Sequence, residues 1–142
     1  MRARLRRNGE TNPVTWIVVI LLAAAGFYIF HVGPVYMGNL EMKEAASEAF
    51  NYYWTNGEDA ARSKLLNRMN VINADTLHLE VDEDGVEAWK PGYGITEEMV
   101  TFIENEKKLT VRVEYDRWVE FKPLKKRKKF HLIAEKTGTR LQ

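Results

Sequence analysis

The chain has 142 residues, no cysteine and a nearly balanced charge of 21 Lys+Arg against 20 Asp+Glu. That length holds one membrane anchor and one domain of about 100 residues. The lack of cysteine excludes disulfides, thiolate metal sites and cysteine nucleophiles, and the balanced charge gives no global field for nucleic acid.

The charge is segregated along the chain. Arg2, Arg4, Arg6 and Arg7 crowd the start, residues 80–87 are mostly acidic, and residues 122–129 are strongly basic. Residues 1–13 therefore read as a basic cytoplasmic N-terminus. Residues 14–32, VTWIVVILLAAAGFYIFHV, contain no acidic, Lys or Arg residue. A bilayer core about 30 Å thick is crossed by roughly 20 such residues in a helix. The expected partner of this run is the lipid bilayer, with the whole anchor covering residues 14–37. The N-terminal arginines face Glu41, Glu44 and Glu48 across the apolar run, so the positive-inside rule puts the N-terminus in the cytoplasm and the C-terminal domain outside it. Trp16 and Tyr36 sit where interfacial aromatic belts are expected. A cleaved signal peptide is the competing reading, with Ala23-Ala24-Ala25 as its small-residue site. Against it, the apolar run continues directly through FYIFHV.

Gly33-Pro34 predicts a kink or short break, because proline removes a backbone donor and clashes with the preceding turn. Beyond it Met42, Ala45, Ala46, Ala49, Phe50 and Tyr53 fall on one face of an amphipathic helix. With a mild kink, residues 14–54 form one rod of about 60 Å. Asn56-Gly57 ends it, and a second helix begins near Glu58-Asp59 with the stripe Ala61, Leu65, Met69 and Ile72. From Thr76 the period changes to two. Leu77, Leu79 and Val81 alternate with polar residues, residues 83–85 turn, and residues 86–89 return as a partner strand. Residues 96–108 fit a short capped helix or a strand, and the directness of the following strand favours the strand.

In the run LTVRVEYDRWVEF, Leu109, Val111, Val113 and Tyr115 share one face, and a bulge near Arg117 would return Trp118 or Val119 to the core. A last strand covers residues 130–135, reached through a basic loop, and residues 138–142 read as a flexible tail. The expected fold class is α+β: a membrane helix kinked at Gly33-Pro34, an amphipathic continuation, a second helix, and an antiparallel meander of about four to five strands filling residues 38–137.

Chemical motifs are sparse. His78 and His131, on separate strands, would bring Glu80 or Glu135 together as zinc ligands for a metal-dependent hydrolase only if those strands paired. Asp82-Glu83-Asp84-Gly85 opens like a calcium loop, but the position required to be glutamate is Tyr93. No GxSxG, P-loop or GxGxxG is present, and no cofactor or small-molecule substrate is expected. The sharpest surface feature is KPLKKRKK, in which Lys122, Lys125, Lys126, Arg127, Lys128 and Lys129 form a candidate anion-binding loop for lipid headgroups or other polyanions. A solvated hairpin tip is the simpler alternative. Trp54, Trp89, Tyr52, Tyr53 and Tyr93 are expected in the helix–sheet core rather than on an exposed patch.

The anchor running through Pro34-Val35-Tyr36 into an Ala-rich helix, with the late run Val111-Arg112-Val113-Glu114-Tyr115, resembles a family of small single-pass bacterial envelope proteins. That family is a pilin-like domain of unknown function. The resemblance implies a bacterial inner-membrane location and a protein partner or self-association, and it transfers no catalytic residue. True type IV pilins are matched less well, since Gly9 is followed by Glu10 and the expected glutamate position is Val14. The resulting expectation is a non-enzymatic single-pass membrane protein with an extracytoplasmic interaction or assembly domain. The alternative is a polyanion- or headgroup-binding module acting through residues 122–129.

Overall fold

The computed structural model describes residues 12–72 and 76–139. The first helix, α1, runs without interruption from Pro13–Asn56 over 44 residues. Asn12 caps it, its side-chain oxygen accepting from the Val14 N–H at 3.1 Å, and Pro13 occupies the first turn, where its missing donor is harmless. Of the kink or short break expected at Gly33-Pro34, the break does not occur: Pro34 lies inside one continuous helix, as the single rod over residues 14–54 requires. One ladder bond is lost there, but Val32 and Val35 on either side are both 1% exposed, and Arg117 Nη1 donates to the Pro34 carbonyl at 2.9 Å. Packing holds the helix through the proline.

The helix ends at Gly57, whose φ of 87° suits glycine and whose N–H donates to the Tyr53 carbonyl. The second helix, α2, follows at Glu58–Val71 with Glu58 and Asp59 in its first turn, the charge that a helix N-terminus favours. Of its predicted stripe, Ala61, Leu65 and Met69 are buried, while Ile72 caps the helix and is half-buried against the core. On α1 the predicted face Met42, Ala45, Ala46, Ala49 and Phe50 is buried as well.

Five strands follow: β1 (Leu77–Val81), β2 (Glu87–Pro91), β3 (Val100–Asn105), β4 (Lys108–Phe121) and β5 (Lys126–Thr139). All pairings are antiparallel, so the fold class is α+β as expected. They form two sheets rather than one meander: a β1–β2 ribbon, and a three-stranded sheet in the order β3-β4-β5. The split follows from the segment 92–99. Tyr93 and Ile95 are buried there, and a 3-10 turn at Glu97–Met99 redirects the chain before β3. Residues 96–108 thus contain both alternatives, a helical turn and then a strand.

The core face of β4 is Leu109, Val111, Val113, Tyr115 and Val119, every one of even spacing, and its register with β5 is continuous. No bulge is needed at Arg117. Val119 already shares the parity of Tyr115, while Trp118 faces the other side and meets Trp89 of the ribbon edge-on at 5.8 Å. β5 is longer than expected at both ends. It begins at Lys126, inside the supposed basic loop, and continues to Thr139, past the expected tail boundary at 138. Both helices pack on one face of the large sheet, α1 along β4 and β5, and α2 near β3, where Arg62 donates to the Glu97 and Val100 carbonyls.

Candidate functional site: a basic hairpin beside the anchor

The β4–β5 hairpin runs antiparallel to α1, and contacts mark its course. Gly138, at the far end, lies beside the Phe50 ring. Further down, the Tyr115 hydroxyl donates to Asn39 Oδ1 at 3.0 Å, and Arg117 reaches Pro34. At the near end Phe121 stacks on His31 at 5.5 Å and approaches Phe27 at 6.2 Å. Phe27 lies five residues inside the apolar run that ends at Val32, about 7.5 Å along the helix axis. The hairpin therefore overlaps the apolar part of α1.

That part is long and apolar enough to cross a membrane, an arrangement compatible with a single-pass membrane protein carrying a soluble β domain. Trp16 and Tyr36 are both exposed on α1, while Arg2, Arg4, Arg6 and Arg7 lie outside the described residues.

The basic segment is half turn and half strand, which corrects the loop expected over residues 122–129. Lys122 and Lys125 lie in the turn at 122–125, where the Lys122-Pro123 peptide is cis and Leu124 is 62% exposed. Lys126, Arg127, Lys128 and Lys129 open β5. Directly paired residues share a sheet face, so Lys126 and Lys128, opposite Phe121 and Val119, stand on the side of α1. Arg127 and Lys129 stand on the other side. There Arg127 lies over the Trp89 ring at 4.2 Å and 4.0 Å from Glu120, and Lys129 is 3.9 Å from Asp116. Among the described residues, Lys122, Lys125, Lys126 and Lys128 have no carboxylate within 4.0 Å. Four uncompensated positive charges and one exposed leucine thus crowd the end of the domain nearest the apolar helix. An apolar tip ringed by flexible lysines suits a bilayer interface, where the stems lie along apolar surface and the ammonium groups reach phosphates.

A cleft of about 270 Å³ opens beside this tip, lined among others by His31, Trp89, Arg117, Glu120, Lys122 and Arg127. Sequence reasoning missed Arg117, Trp89 and Trp118 as its walls. Only the folding of the ribbon over β4 brings them together.

The histidines do not form the site that strand pairing would have made. β1 pairs with β2 and β5 with β4, so His78 and His131 are not cross-strand neighbours. Both line a second cleft, but the Nδ1 of His78 bonds the Gly92 carbonyl at 2.9 Å and that of His131 bonds Asp116 at 2.8 Å. Glu80 is engaged by Lys90 at 2.7 Å and Glu135 lies 3.9 Å from Arg112. Among the described residues no group of three potential ligands converges on a metal position.

Two phenols are perturbed. Tyr53 donates to Glu104 Oε2 at 2.7 Å, and this bond to a carboxylate pushes its pKa up to about 12. Burial pushes that of Tyr115 up. Both sit on the helix–sheet seam, where each phenol bridges an α1 residue and a strand residue. Of the aromatic set expected in the core, Trp54 and Tyr53 pack against it and Tyr93 lies in it, whereas Tyr52 lies under Lys64 and Trp89 packs on Trp118 and Arg127 outside it. The chain matches no protein-family model, no curated protein and no solved structure.

Proposed function

We propose that this is a non-enzymatic, single-pass membrane protein whose α+β domain rests on the bilayer beside its own anchor, with the β4–β5 tip binding anionic lipid headgroups. The observation that carries this reading is the stacking of Phe121 on His31 and its approach to Phe27, which sets residues 122–128 at the level of the apolar helix. Each basic residue near an anionic surface is worth about 1 kcal/mol, so four unpaired lysines supply about 4 kcal/mol at low salt. The attraction is screened by salt.

Because the chain has no cysteine, Leu124→Cys takes a single fluorophore cleanly. In vesicles holding the full chain, that fluorophore is quenched more strongly by nitroxide-labelled anionic lipid than by nitroxide-labelled zwitterionic lipid at equal mole fraction. The difference vanishes at about 1 M salt, where the Debye length is about 3 Å. It also vanishes when Lys122, Lys125, Lys126 and Lys128 are all changed to glutamine. Equal quenching by both lipids in the otherwise unaltered chain overturns the reading.

A second observation supports the protein-interaction reading. Tyr36, Met37 and Leu40 are exposed on α1, an apolar stripe at the outer end of the expected anchor and just past it. Large exposed apolar residues on a helix suit a protein partner or self-association. A crosslinker on Met37→Cys captures that neighbour in intact membranes; recovery of uncrosslinked chain alone removes this reading. The cytoplasmic N-terminus rests on the arginine-rich start, and the inner-membrane location on the family resemblance. A reporter fused after Gln142 is active only outside the cytoplasm if they hold, and cytoplasmic activity reverses them.

A further inference from the structure

We propose that the cleft between His31, the β1–β2 ribbon and the open edge of β4 is a binding site for the phosphomonoester headgroup of a membrane lipid. The proposal rests on the membrane-surface reading above and adds a ligand class to it.

The walls begin with strand pairing. β3 pairs only with residues 108–113 of β4, so among the described residues no strand covers the edge of β4 from 114 to 121 on that side. The ribbon leans across this gap without joining the sheet, and Trp89 meets Trp118 at its margin. Strand backbone left open in this way presents N–H donors to whatever enters.

The side chains supply the charge. Among the described residues, Arg117, Lys122 and Arg127 line the cleft with one carboxylate, Glu120, so three positive charges less one leave a balance of +2 there. A phosphate monoester carries about −1.5 to −2 at neutral pH, whereas a phosphodiester carries about −1. The cleft matches the former. Arg127 lies over the Trp89 ring, its guanidinium carbon 4.2 Å from the ring centroid, a contact that restrains the side chain beside the cleft. Arg117 uses Nη1 for the Pro34 carbonyl at 2.9 Å and the Tyr93 hydroxyl at 3.2 Å. Two of its five N–H donors are thereby spent on positioning, and the rest remain for an anion.

Size and position agree. A cleft of about 270 Å³ has room for a phosphate group and part of a glycerol. His31, on α1 at the end of the apolar run, closes the membrane side. A headgroup entering there keeps its acyl chains in the bilayer.

The test is native mass spectrometry of the full chain released from detergent micelles, offered phosphatidic acid, phosphatidylglycerol or phosphatidylcholine at equal concentration. The chain retains phosphatidic acid several-fold more than phosphatidylglycerol. Arg127→Gln and Lys122→Gln erase that preference while leaving phosphatidylglycerol retention in place. Glu120→Gln, which removes the competing carboxylate, raises phosphatidic acid retention, a gain that misfolding does not produce. Equal retention of the two anionic lipids, both above phosphatidylcholine, overturns the site and leaves the surface reading standing. Retention of neither above phosphatidylcholine overturns both. Complete displacement of phosphatidic acid by an equal concentration of glycerol 3-phosphate overturns the lipid assignment.

Discussion

The Tyr53 hydroxyl joins α1 to β3 through Glu104, and its raised pKa has a consequence for stability. An unfolded tyrosine loses its proton near pH 10, whereas here the value is about 12. Below pH 10 the phenol is protonated in both states and its contribution is complete. Between pH 10 and 12 the unfolded chain gives up the proton first, so that contribution falls as pH rises and is gone above 12. Thermal unfolding of the full chain in micelles therefore loses stability across this window more steeply in the native protein than in Tyr53→Phe. Parallel curves would show that the bond to Glu104 does not form. Gly94 makes a second residue-scale case. Its φ is +65°, and a Cβ there would run into the His78 ring. Gly94→Ala should cost about 1–3 kcal/mol through backbone strain and displacement of that ring, measured as a lowered unfolding midpoint. An unchanged midpoint would show that the ribbon is free to move away.

Elements carry the energetics of the spine. Ala45, Ala46 and Ala49 are buried on α1, and such small side chains let neighbouring elements approach closely. Ala46→Leu overfills this seam and should cost about 1–3 kcal/mol. Leu65→Ala empties the core beneath α2 and should cost about 2–5 kcal/mol, both read from denaturant unfolding. These positions were legible in the sequence, because an apolar stripe at helical period survives any tertiary arrangement. The alternation of Leu109, Val111, Val113 and Tyr115 was legible for the same reason. The start of β5 was not. Lys126, Arg127, Lys128 and Lys129 carry no polar–apolar alternation, so only pairing with the Trp118–Phe121 end of β4 makes them a strand. At Pro34 the local chemistry left a kink and a short break both open, and the Arg117 contact that steadies the continuous helix there comes from 83 residues away. The cleft was invisible too, since Trp89, Arg117 and Lys122 meet only after the ribbon folds over β4.

At the scale of the whole molecule, one helix has two unlike halves. Its first half presents apolar side chains outward, while its second half is the central element of a small domain. The hairpin folds back along this helix so that the domain's most basic point lies at its apolar end. Residues 122–129 are distant from the apolar run in sequence, yet in space their end of the hairpin lies beside it, which puts the lysines where anionic lipid would meet them if the helix spans a bilayer.

The central claim is that the hairpin tip touches the anchor within the membrane's surface layer. The most direct test is disulfide formation in intact membranes between introduced cysteines at His31 and Phe121, whose rings are 5.5 Å apart. Oxidation should link His31→Cys to Phe121→Cys within one chain, and should not link Phe30→Cys to Phe121→Cys, because Phe30 is 76% exposed on another face of the helix. No link in the first pair, or equal linking in both, would contradict a domain docked on its own anchor.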